Sequence, residues 1–327
     1  MSSKSKNRNY TRIFFATDLH ASEVAFRKFL GAVKFYDVDV LIMGGDVFGK
    51  SFVPIVEDGA GTYQFEFNGQ SFTGVPESKL GAYELEIANA GDYSRRFAEK
   101  EYDDLGQDHR KIEPFFEEQM VERMSHWSKL ARENLYGTGV KCYWTGGNDD
   151  KQELLDRVSA TDSFVMAEGK VVRMEDGHEL ASLGWSNPTP WKTHRECSEE
   201  ELARKLGTLE RGVRDPGRCI LNVHPPPYDS TLDIAGKLDL STNPPKPVTS
   251  GGHQVMVPVG STAVRAAIEK MQPLLMLCGH IHETKNAAKI GKTLCINPGS
   301  EYGSGYLRGV IVNLKEGKVL SYQFTSG

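Results

Sequence analysis

The chain has no apolar run long enough to span a membrane, no internal repeat, and no low-complexity tract beyond residues 1–10. It also lacks a dense cluster of lysine and arginine, so no basic track offers itself to a nucleic-acid strand. The formal net charge of −5 gives no bulk attraction for polyanions or acidic membrane surfaces. Cysteine is scarce and unpaired in pattern: Cys142, Cys197, Cys219, Cys278 and Cys295 are odd in number, widely spaced, and contain no Cys-x-x-Cys. Four lie in or beside apolar runs and read as buried free thiols, which suits a reducing compartment. Residues 1–12 are polar and basic without the apolar core of a secretory signal. The expectation is a cytoplasmic protein with neither a membrane nor a nucleic acid as partner, and with its oligomeric state left open.

What is present is ordinary globular composition, 39% hydrophobic and 25% charged over 327 residues, enough for a core without covalent staples. Residues 11–327 read as one domain behind a flexible tail at 1–10. Arg12 to Thr17 reads as a strand, Ser22 caps a helix reaching about Tyr36, and Val38 to Met43 is a buried strand: a βαβ unit. Residues 50–139 break this rhythm. They begin with a hairpin centred on Asn68-Gly69, followed by helices at about 77–104 and 112–136, and read as an insertion without a complete core of its own. Val140 to Thr145 resumes the sheet. Cys219 to Val223 and Leu274 to Leu277 are further buried strands, and segments at 293–297, 307–314 and 318–325 close the chain. Residues 228–260 form a long loop rich in Gly, Pro, Ser and Thr, of a length that is usually functional or disordered.

Polar groups gather at the strand ends. Gly44-Gly45 lets the backbone turn sharply and delivers Asp46 where open α/β sheets place their ligands. Alone, Asp46 reads as a helix cap. In company it reads differently, because five strands end in Asp18/His20, Asp46, Asn148, His224 and His280/His282. Capping accounts for an Asp or an Asn but not for four imidazoles. Two carboxylates, one amide oxygen and four imidazoles suit first-row divalent metals such as Mn²⁺, Fe²⁺, Co²⁺ or Zn²⁺, and argue against Ca²⁺ or an all-oxygen Mg²⁺ site. Seven side chains exceed one tetrahedral ion and match two ions about 3.5–4 Å apart.

The order D-x-H, G-D, G-N-x-D, H, G-H-x-H resembles the calcineurin-like metallophosphoesterase superfamily, over residues 18–282 apart from the insertion. The resemblance implies an α/β fold, a four-layer αββα sandwich of two mixed sheets flanked by helices. It implies two divalent ions (manganese, iron, nickel or zinc), one held by Asp18, His20 and His282, the other by Asn148, His224 and His280, with Asp46 bridging. Asn297-Pro298-Gly299-Ser300 is similar to the family's last loop. The reaction expected is in-line attack of a metal-bridging hydroxide on phosphorus, and because the insertion and the 228–260 loop narrow the site, the expected substrate is a phosphodiester that is small or nucleotide-like.

The sequence departs from the family in one place. Many members carry a proton-donating His after the motif Asn, whereas here Asp149 follows Asn148, as in the small phosphodiesterase-like branch that lacks that His. An unperturbed Asp, with a pKa of about 3.9, is a poor acid at neutral pH. Asp149 serves as the catalytic acid only if burial or Asp150 raises it. His253, on the long loop, is the other catalytic candidate. Lys50 and the neighbourhood of Lys192, Arg195 and Trp191 are possible anion contacts. A DNA nuclease of the same superfamily and a non-catalytic binding scaffold are the competing readings. The first needs a basic track and the second predicts eroded ligands.

Overall fold

Alternation along the first strands sorts side chains between two cores. The computed structural model describes residues 8–59, 61–106, 108–158 and 164–327. In β1 (Thr11–Ala16), Ile13 and Phe15 enter one core while Phe14 and Ala16 enter another. β2 (Val40–Gly44) runs parallel to it and divides likewise, Val40 and Ile42 against Leu41 and Met43. Between them lies α1 (Glu23–Phe35), whose N-cap Ser22 accepts the Ala25 amide at 3.4 Å. Of the expected tail, residues 1–7 lie outside the described residues. Of the next three, two are tied down: Arg8 pairs with Asp37 at 3.0 Å and Tyr10 accepts from Arg12 at 2.9 Å.

The 50–139 region differs from expectation. β3 (Phe52–Glu57), β4 (Thr62–Phe67) and β5 (Gln70–Pro76) are followed by α2 (Glu77–Ala90) and β6 (Tyr93–Phe97), and the four strands form a sheet of their own. The Asn68-Gly69 hairpin is as expected, with both φ angles positive, at 51° and 71°. The continuous helix expected at 77–104 instead stops at Gly91, in the left-handed conformation at φ 96°. β6 then pairs with β3 in parallel. This sheet carries a small satellite core including Val53, Ile55, Phe65 and Ile87. After α3 (Glu99–Leu105), the long α4 (His109–Leu135) joins the main body instead, stacking Trp127 on Phe26 with centroids 4.0 Å apart.

The remaining elements are β7 (Lys141–Thr145), α5 (Gln152–Val158), β8 (Val165–Met166), β9 (Lys170–Arg173), β10 (Glu179–Leu183), α6 (Glu199–Gly212) and β11 (Cys219–Val223). The segment at 228–260, expected as a loop, is a β-ribbon arm. β12 (Ile234–Gly236) pairs with β17 (Met256–Pro258), enclosing β13 (Leu238–Asp239) with β14 (Lys246–Pro247), and β15 (Thr249–Ser250) with β16 (His253–Gln254). Then come α7 (Thr262–Met271), capped by Ser261, β18 (Leu275–Leu277), β19 (Asn286–Ile290), β20 (Thr293–Asn297), β21 (Arg308–Lys315) and β22 (Lys318–Ser326).

Two mixed sheets result, β22-β21-β1-β2-β7-β8 and β10-β11-β18-β20-β19. Ile13, Ile42, Ile220, Leu277 and Val310 fill the space between them. α1 and α4 cover the outer face of the first, where Phe14, Leu41 and Trp144 meet Phe26, Phe29 and Trp127. α6 and α7 cover the second, Leu202, Leu206 and Ile268 against Leu221 and Met276. The chain is a four-layer αββα sandwich. β1, β2 and β7 are mutually parallel, as are β10, β11, β18 and β20, so their C-terminal ends bring loops to one edge. Among the described residues no helix is long and apolar enough to cross a membrane.

Candidate metal centre

The five strand ends converge on a cluster that is buried at its floor. Asp18, His20, Asp46, Asn148 and His224 are each at most 3% exposed, while His280 and His282 are half-buried and face the opening. Asp18 Oδ1 lies 3.3 Å from His282 Nε2 and 3.8 Å from His224 Nε2. Asp46 Oδ2 lies 3.3 Å from His224 Nε2 and 3.7 Å from His20 Nε2, between the two halves of the cluster. Asn148 Oδ1 is 3.0 Å from His224 Nε2. Single atoms of Asp18, His20 and His282 lie within 4.8 Å of one another, and so do those of Asp46, His224 and His280. The structure therefore brings all seven sequence-predicted residues together.

The tautomers define the chemistry. His20 Nδ1–H donates to the Phe48 carbonyl and His224 Nδ1–H to the Gly44 carbonyl, each at 3.2 Å. In the neutral rings this leaves the Nε2 lone pairs pointing inward. There they meet carboxylate oxygens, and His20 Nε2 also meets His282 Nε2 at 3.3 Å. Converging acceptors with no donor between them repel, and a cation or a proton must separate them. The donor set thus fits hard-to-borderline divalent ions.

Backbone geometry contributes as well. Asp18, His20, Asp46 and His280 all have positive φ, between 41° and 68°. Asp, Asn and His tolerate this region better than other side chains, though at a cost. Gly147 lets two loops approach, because a Cβ there would lie 2.1 Å from Asp46 Oδ1.

Several supports are not assigned from the sequence. Buried Asp150 accepts the amides of Gly147 at 2.7 Å, Phe48 at 2.8 Å and Val47 at 3.1 Å, clamping the Asp46 loop to the Asn148 loop. The G-N-x-D spacing holds this signal, but from sequence the last Asp reads only as a neighbour of Asp149. Thr193 Oγ1 accepts from Asn148 Nδ2 at 2.8 Å and turns the amide oxygen inward. Nothing in the sequence near Thr193 announces this. Arg195 is not an anion-binding wall: it is 1% exposed, pairs with Glu168, and donates to the Gly147 carbonyl at 3.2 Å. The Asn297-Pro298-Gly299-Ser300 loop buttresses from the other side. Asn297 Nδ2 reaches the carbonyls of Gly279 and Ile281, and Ser300 donates to the Asp18 carbonyl at 2.7 Å.

Charges in the cluster are mutually tuned. Burial, then the Lys50 charge, push His20 down to about 3, and burial, then His224, push His280 down to about 4. Burial works against charge on His224 too, but Asp46 and Asp18 outweigh it and hold this imidazole at about 9. Burial would raise Asp18 and Asp46, yet the imidazoles keep both carboxyls well below their usual range. A proton on His224 therefore stands where positive charge is needed. A divalent ion displaces it, so metal affinity falls as pH drops below about 9 and rises with pH toward that value. Calorimetric Zn²⁺ titration at pH 7, in two buffers of different ionisation enthalpy, is expected to show release of about one proton or more per chain. Zero release contradicts this charge assignment.

Over the cluster opens a cleft of about 830 Å³, within the range of small-molecule sites. Asp46, Asn148, His280 and His282 form its floor, Lys50 and Asp149 one side, and Trp191 with the ribbon residues Leu240 and Met256 an apolar wall. Lys50 Nζ lies 2.6 Å from Asp149 Oδ2. Burial and then Asp46 raise Asp149 to about 6, against the opposing Lys50 ammonium. His253 is exposed at the ribbon's tip, and its neighbour Gln254, not His253, lines the cleft. Tyr302 packs on His20, with centroids 4.5 Å apart.

Comparison with known proteins yields one sequence relative and several structures. No family model matches the chain. The uncharacterized protein MJ1162 of Methanocaldococcus jannaschii is 30% identical over 154 residues, which is 46% of this chain. The match spans 61% of that relative's length. The crystal structure of TT1561 of Thermus thermophilus aligns over 97% of this chain and 98% of its own, at 12% identity and TM-score 0.53. A second crystal structure covers the same shares at 14% identity and TM-score 0.55. At these identities the likeness speaks for the fold.

Proposed function

We propose that this chain, whose αββα sandwich and order of strand-end residues resemble those of the calcineurin-like metallophosphoesterases, is a metal-dependent phosphodiesterase acting on a small phosphodiester. The observation that carries the reading is the inward convergence of seven N and O donors at the floor of a cleft. Asp18, His20 and His282 would hold one divalent ion, Asn148, His224 and His280 the other, and Asp46 would reach both. Such a pair lowers the pKa of bound water and neutralises phosphoryl oxygens, supplying the positive charge that the composition lacks. The protein's part is orientation. Phe48 and Gly44 carbonyls fix two imidazole tautomers, Thr193 fixes the Asn148 amide, and Asp150 holds two loops in register. The cleft is larger than a phosphoryl group needs, and its apolar wall favours an ester with an organic group on each side of phosphorus. The absence of a basic track argues against a nuclease.

The test is reconstitution with Mn²⁺, Fe²⁺, Ni²⁺ or Zn²⁺, followed by parallel assay of chromogenic mono- and diesters, cyclic nucleotides and single-stranded DNA. Metal-dependent turnover of diesters above monoesters is expected. Absence of turnover with every metal, together with less than about one bound ion per chain, refutes it.

A further inference from the structure

Two cationic side chains line the cleft, and they stand apart in the fold: Lys237 belongs to the ribbon arm, whereas Lys50 follows the Asp46 loop. A lysine beside a site that gathers cations is repelled unless an anion holds it. Asp149 is that anion, 2.6 Å from the ammonium, and it is itself anchored through its amide to Asp46 Oδ1 at 3.0 Å. The Asp149 side chain is 15% exposed and set in the wall, while that of Lys50 is 45% exposed and reaches open cleft.

We propose that Lys50 is the catalytic group that protonates the leaving oxygen, and that Asp149 is the positioning residue that holds it there. The inference rests on the phosphodiesterase reading. In the step, a water-derived oxygen bonds to phosphorus and the opposite P–O bond breaks. Its electron pair stays on the departing oxygen, which takes one proton from the Lys50 ammonium. Water returns a proton to the amine. The Asp149 carboxylate 2.6 Å away favours the ammonium form, and a lysine, ordinarily titrating at about 10.4, carries its proton at neutral pH. An alkoxide, about as basic as hydroxide (water pKa ~15.7), accepts that proton downhill, whereas a nitrophenolate departs without one.

The closing experiment is a leaving-group series, from p-nitrophenyl through phenyl to alkyl phosphodiesters, on the metal-loaded wild type, Lys50→Met and Asp149→Asn, with metal content measured by elemental analysis. Lys50→Met is expected to lose about 10²–10⁴-fold in kcat/KM on the alkyl ester but less than about tenfold on the p-nitrophenyl ester, at unchanged metal content. Its rate should depend more steeply on leaving-group pKa, with Asp149→Asn intermediate. Equal losses across the series, or loss of bound metal, overturn the Lys50 assignment while leaving the phosphodiesterase standing. A wild type that turns over no ester overturns both.

Discussion

Asp46→Asn is expected to fold normally, to retain less than about one ion per chain where the wild type holds about two, and to show no measurable turnover. The exchange is nearly isosteric. Asp46 Oδ1 already accepts the Asp149 amide at 3.0 Å, and the new side chain keeps that bond with its carbonyl oxygen. Its NH₂ then replaces Oδ2, 3.3 Å from His224 Nε2 and 3.7 Å from His20 Nε2. Two hydrogens point where two cations would share an oxygen. Thermal unfolding without metal should shift downward at neutral pH, because the buried His224 imidazolium loses the carboxylate that faces it at 3.3 Å. Elemental analysis and diester assay on the same preparation check the prediction. Activity with two ions bound disproves the bridging role of Asp46.

The second large effect is expected at Asp150, which touches no proposed ligand side chain. Asp150→Ala leaves the buried amides of Gly147, Val47 and Phe48 without their acceptor. An orphaned donor costs about 1–3 kcal/mol, so the loss should reach about 3 kcal/mol or more in urea unfolding of the metal-free protein. The same change frees the Asp46 and Asn148 loops from one another, and metal affinity should fall about 10–100-fold. Asp150→Asn should be milder in both, since one oxygen still accepts. Lowered stability with unchanged metal affinity shows that the clamp serves the fold alone.

The cluster of strand-end residues was legible in the sequence because each of its members closely follows an apolar strand. Val38 to Met43 announces a buried strand, and the residues just after such a run in an α/β sheet fall at the sheet's edge. The layers were legible for a similar reason, through alternation in β1 and β2. The Lys50–Asp149 pair was not legible, because its partners lie on separate loops that only the parallel pairing of β2 and β7 makes adjacent. β6 was missed because Tyr93-Ser94-Arg95-Arg96-Phe97 buries only its first and last residues, leaving a polar middle that reads as helix. The ribbon arm reads as loop because its pairs are two or three residues long and its side chains mostly exposed, so no hydrophobic period reports them.

The left-handed corners at Asp18, His20, Asp46 and His280 bear on how such a centre arises and persists. A backbone held there admits Gly, Asn, Asp and His most readily, and three of those four types ligate metals. Topology thus draws these corners from an alphabet already rich in ligands, before any benefit from chemistry. A chain with this backbone that bound no ion would meet the same filter. Val or Ile at Asp46 would cost about 1–2 kcal/mol in backbone conformation alone. Folding and chemistry ask for the same letters at these positions, so ancestry can conserve the centre on either account.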